Sequence, residues 1–144
     1  MTDETPYISI TRTFAASPED VFDAWTSPTH FGRWFGTEST AVEDVRMDVR
    51  VGGQWSARMI LGDGVEIGWH GSYLEVDAPH RLVLSLSDRP GDQFERVTVA
   101  LTKVEDGTEM TFTQSGGNMP AENYAQAEEG WRSFFDDLAK GLAA

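Results

Sequence analysis

The chain has 144 residues, 40% of them hydrophobic, and a formal net charge of -13, enough for one domain with a substantial core and too acidic to hold a polyanion such as nucleic acid. It contains no cysteine, which excludes disulfides, thiolate metal sites and cysteine nucleophiles together. No apolar run approaches the length needed to insert in a membrane, and the acidic start MTDETPY lacks the basic and apolar segments of a secretory signal, so a cytoplasmic location is expected.

A single domain over 1–144 is expected, with residues 1–6 as a tail. Tyr7 to Phe14 alternates apolar and polar side chains, interrupted by Arg12, and predicts a first strand. Ser17-Pro18-Glu19-Asp20 supplies an N-cap serine, a proline suited to the first helical turn and two acids where the helix dipole favours them. The helix they start carries Val21, Phe22 and Trp25. Ser27-Pro28 repeats the device for a second short helix with Phe31, Trp34 and Phe35, stopped by Gly36.

From residue 42 to about 115 the period changes to two, with six runs separated by turn-forming residues: Val42 to Val49, Gln54 to Leu61, Val65 to Val76, His80 to Ser87, Phe94 to Val104 and Thr108 to Ser115. This predicts an antiparallel sheet. Parity assigns Trp55, Ala57, Met59, Trp69, Gly71, Tyr73, Leu82, Leu84, Leu86, Val97, Val99, Leu101, Met110, Phe112 and Gln114 to its inner face. Gly68 and Gly71 suggest a bulge or a sharp bend in their run. Finally Pro120 to Leu142 places Tyr124, Ala127, Trp131, Phe134, Phe135, Leu138 and Leu142 on one helical face, a long amphipathic helix with Gly130 in its interior. Gly130 is expected where another backbone comes close. The order is α+β: strand, two short helices, six strands, one long helix, with a seven-stranded curved antiparallel sheet gripping the last helix.

SPEDVFDAWTSPTHFGRWFG, DVRVGGQWSARM, GSYLEVDAPHRLVLS, GTEMTFTQSG and EEGWRSFFDDL resemble, in order, the elements of the SRPBCC or START-like superfamily, and within it the homologues of the heat-shock-protein-90 ATPase activator. The resemblance runs from about Tyr7 to Leu142. It implies the helix-grip fold, and a function among lipid carriers, polyketide cyclases, hormone-binding proteins and co-chaperone domains.

Catalytic signals are sparse. His30, His70 and His80 have no spacing that puts two metal ligands on one face, and no serine lies in a nucleophile elbow. No metal and no cofactor is expected. His70 and Glu66, both on one predicted strand, are the acid–base candidates, although the parity of Trp69 turns His70 outward. The aromatic set is denser than an aliphatic core requires. Together with oriented polar groups it suggests a site for a small hydrophobic or aromatic molecule, lined by Trp25, Phe31, Trp34, Phe35, Trp55, Arg58, Met59, Trp69, Tyr73, Phe112, Gln114, Met119, Tyr124 and Trp131, with Asn118 nearby. The other candidate roles are a chaperone-regulating module, with a chaperone or a second copy of the chain as partner, and a cofactor-free cyclase, dehydratase or hydrolase.

Overall fold

The computed structural model describes residues 8–35, 41–88, 94–116 and 120–143. The elements are β1 (Ile8–Phe14), α1 (Pro18–Thr26), α2 (Pro28–Trp34), β2 (Ala41–Met47), β3 (Gln54–Ile60), β4 (Glu66–Asp77), β5 (Arg81–Leu86), β6 (Glu95–Val104), β7 (Gly107–Ser115) and α3 (Ala121–Ala143). Tyr7, Gly36, Asn118 and Met119 lie outside the described residues.

Local chemistry accounts for the helix starts. The Ser17 hydroxyl accepts a hydrogen bond from the Asp20 amide at 3.1 Å, and Pro18 opens α1. Ser27 ends α1 and precedes Pro28 of α2, without a side-chain cap of its own. Two helices this short bury little separately; what holds them is their aromatic face, with Val21, Phe22, Trp25, Phe31 and Trp34 all buried.

The strands form one antiparallel sheet in the order β1-β7-β6-β5-β4-β3-β2, in which β1 joins β7 from Ile8↔Gln114 to Phe14↔Thr108. Consecutive hairpins explain the rest, since each turn sets the register of the next strand. The inner face is the one parity assigns, with Trp55, Ala57, Met59, Tyr73, Leu82, Leu84, Leu86, Val97, Val99, Leu101, Met110 and Phe112 buried and Trp69 half-buried. Arg12 interrupts the apolar face of β1 for a reason: its guanidinium reaches Asp136 of α3 at 2.6 Å and lies over the Phe14 ring. It ties the terminal helix to the first strand.

Two expectations about glycine need correction. The irregularity of β4 falls between Tyr73 and Glu75, beyond Gly68 and Gly71. Gly71 instead has no room for a side chain of its own: a Cβ there would stand 1.8 Å from the Ser85 carbonyl oxygen and 2.7 Å from Trp55 Nε1. The two strands exchange both backbone bonds at His70 and Ser87, but at Ser72 and Ser85 side chains take over. The Ser72 amide donates to Ser85 Oγ at 2.9 Å, and the Trp55 indole reaches across Gly71 to donate to the Ser85 carbonyl at 2.8 Å. Gly130 has no close neighbour, since an added Cβ meets nothing within 4 Å, and so the expected backbone approach is absent there.

Candidate functional site

Where the sheet, α1, α2 and α3 converge, aromatic rings form a continuous cluster. Trp25 stands 4.7 Å from Trp34, 6.1 Å from Phe112 and 6.2 Å from Trp131, measured between ring centroids. Phe31 contacts Trp55 at 5.8 Å, Phe35 contacts Trp69 at 5.9 Å, and Phe112 contacts Trp131 at 4.6 Å. Tilted and edge-on pairs dominate, as the ring quadrupole prefers. A void of about 10 Å³ remains among Trp25, Phe31, Trp55, Tyr73, Leu84 and Trp131, about the room one water needs.

The chain has five tryptophans, and their indole N–H groups divide into two kinds. Trp34 donates to the Ala24 carbonyl at 2.9 Å, Trp55 to the Ser85 carbonyl at 2.8 Å and Trp131 to Gln114 Oε1 at 2.8 Å. The buried N–H groups of Trp25 and Trp69 have no acceptor among the described residues. An unsatisfied buried donor costs about 1–3 kcal/mol, so native interiors hold few of them.

One polar chain crosses this apolar interior. Glu95, at the start of β6, is 7% exposed and points inward with Val97, Val99 and Leu101. Its Oε1 accepts from the Tyr124 hydroxyl at 2.7 Å and from Gln114 Nε2 at 3.3 Å. Gln114 in turn accepts from Trp131, so Glu95, Tyr124, Gln114 and Trp131 link β6, β7 and the first half of α3. Sequence reasoning included Gln114, Tyr124 and Trp131 but passed over Glu95. The signal was present, because the parity of Val97 and Val99 extends back to residue 95.

The other sequence-derived residues fall in several places. Met59 is buried on the inner face, and so is Tyr73, whose phenol pKa is pushed well above the ordinary range, first by burial and then by the charge of Asp48. Arg58 stands apart from the aromatic cluster: it is on the outer face, with Glu43 at 2.6 Å, Asp44 at 3.3 Å and Glu66 at 3.6 Å. That ion cluster uses Glu66 as well. His70 is also on the outer face, bridged through its backbone to Ser87 and in edge contact with the Phe94 ring at 5.5 Å. Neither acid–base candidate therefore faces the interior. Outside the cluster, a groove of about 250 Å³ lies between α1, α2 and the end of α3, bounded by Asp23, His30, Arg33, Trp34, Leu138 and Leu142. Among the described residues no three His, Asp or Glu side chains group to hold a metal, and no helix is long and apolar enough to cross a membrane.

Fold and interior together define a helix-grip protein of the SRPBCC or START-like class. A family model described as "Activator of Hsp90 ATPase homolog 1-like protein" matches residues 15–143, and the chain belongs to that family. Solved structures agree. A Chromobacterium violaceum protein is similar with a TM-score of 0.86 and 23% identity, over 96% of this chain and 97% of that one. An AHSA1 protein from Silicibacter pomeroyi gives 0.83 and 24%, over 95% and 97%. The AHSA1-like protein from Aeromonas hydrophila gives 0.80 and 26%, over 93% and 90%. No curated protein matches the chain in sequence.

Proposed function

We propose that this protein binds a small, largely apolar or aromatic molecule carrying at least one hydrogen-bond acceptor, between the sheet and the first half of α3. The observation that carries this reading is the Trp25 indole, a buried donor without an acceptor among the described residues, set in an aromatic cluster that also bounds the interior void. An oxygen of the ligand would satisfy that donor. The chain from Glu95 through Gln114 to Trp131, with Tyr124, supplies the second half of the reading: fixed donors and acceptors that orient a polar end, against rings that accept an apolar body. A void of about 10 Å³ is far smaller than a lipid or polyketide. Binding therefore requires the first half of α3 or the facing rings to move, a population shift driven by the ligand's preference for the opened form.

The test is a thermal-shift and native mass-spectrometry screen of fatty acids, polyketides and aromatic carbonyl compounds. A stoichiometric binder that raises the melting temperature is expected; a complete panel without one overturns the reading. Family membership favours a second role, regulation of a heat-shock chaperone. Stimulation of the host chaperone's ATPase by added protein would support it, and an unchanged rate at saturation would end it. A cytoplasmic location is consistent with both.

A further inference from the structure

We infer a second binding site, for a small oxyanion, on the outer face of the sheet, separate from the interior reading above. A depression of about 310 Å³ opens where β4 and β5 exchange backbone bonds for side-chain bonds. Its floor is Trp55 and Gly71, both buried; its walls are Arg46, Gln54, Ser56, His70, Ser72 and the Phe94 ring. Register puts three of these in one row: Arg46 lies opposite Ser56, and Ser56 opposite His70. Gln54 lies opposite Ser72 in the adjoining row. Alternate residues of a strand share a face, so a guanidinium, an amide, two hydroxyls and an imidazole converge on one concavity.

Its charge is unusual for this chain. Acidic residues outnumber basic ones by 24 to 11, yet none of the described residues lining this depression is acidic. Arg46 forms no ion pair with any described residue, because the carboxylates on either side serve other cations: Asp44 holds Arg58 at 3.3 Å and Asp48 holds Arg50 at 2.9 Å. A guanidinium without an ion-pair partner among the described residues, beside hydroxyl and amide donors, matches a carboxylate or phosphate group, which can accept from several N–H and O–H groups at once. The Phe94 ring gives an apolar surface for a ring attached to that group. The ligand class is a small aromatic oxyanion.

The experiment is an amide-detected NMR titration with phenyl phosphate and with benzoate, using benzyl alcohol as the uncharged control at matched ionic strength. Saturable shifts at Ser56, Gly71 and Ser72 are expected from at least one anion and not from the alcohol. Which anion binds tells phosphate from carboxylate. Arg46→Gln, an exposed change whose folding is checked by circular dichroism, should weaken binding about tenfold, the loss of one charge-assisted contact. Arg33→Gln on α2 should leave binding unchanged. Absence of saturable shifts from both anions, equal shifts from the alcohol, or equal weakening by the two arginine variants would overturn the site. An interior ligand is distinguished by shifts at Tyr124 and Trp131.

Discussion

Gln114→Leu isolates the buried polar chain. The side chains are close in size, so the change removes hydrogen bonds rather than volume. Trp131 Nε1 loses its acceptor and Glu95 loses one donor. An unsatisfied buried N–H costs about 1–3 kcal/mol and a hydrogen bond to a carboxylate contributes about 1.5–3 kcal/mol. The bond from Gln114 to Glu95 is long at 3.3 Å, and leucine recovers some apolar burial, so the net loss should be about 3 kcal/mol. At an unfolding entropy of about 0.3 kcal/mol/K for a chain of this length, the midpoint falls by about 10 °C. Differential scanning calorimetry reads it directly. The informative companion replaces the whole chain at once, with Glu95→Leu, Gln114→Leu, Tyr124→Phe and Trp131→Phe. Because donors and acceptors bonded to one another are then removed together, most of the lost stability should return. A Gln114→Leu protein as stable as the parent would refute the chain's geometry. A combined variant that falls further than the single one would show that these groups are kept for stability and not for a ligand.

Other consequences divide along the same lines. Gly71→Ala drives a Cβ into the Ser85 carbonyl and should cost about 3 kcal/mol or more by chemical denaturation, whereas Gly130→Ala meets open space and should stabilise by about 0.5–1 kcal/mol; the reverse order would contradict both placements. Tyr73 has a raised folded pKa, so the folded state holds its proton where the unfolded chain releases it. Its contribution is complete below the ordinary tyrosine value of about 10 and is lost as pH rises above it. Denaturation midpoints that stay flat through that alkaline window in wild type, while Tyr73→Phe behaves the same, would remove the effect. Glu66→Gln should leave interior ligand binding unchanged, since Glu66 serves the Arg58 cluster on the other face; loss of binding would return it to the site.

The fold was legible because its signals are local. Trp55, Ala57 and Met59 alternate without interruption, proline follows serine at both short helices, and the stripe of Tyr124, Trp131, Phe135 and Leu138 has a helical period that only a concave sheet could cover. The site was legible only where residue type and parity agreed. Arg58 was drawn to the interior by its chemistry, although Ala57 and Met59 on either side already turned it outward, into carboxylates brought by the neighbouring strands β2 and β4. Glu95 was the opposite case: parity turned it inward, but a carboxylate reads as exposed until its partners are known, and those partners come from β7 and α3. Gly71 was read as a bulge or bend, and what it marks instead, the close approach of the Ser85 carbonyl and the Trp55 indole, is set by pairing across the sheet.

The most direct measurement of the central claim follows the five indole N–H resonances while a binder from the small-molecule panel is added. The Trp25 signal should move downfield as its N–H gains an acceptor, while Trp34, already bonded to the Ala24 carbonyl, stays in place. A tight binder that leaves the Trp25 resonance where it was would contradict it.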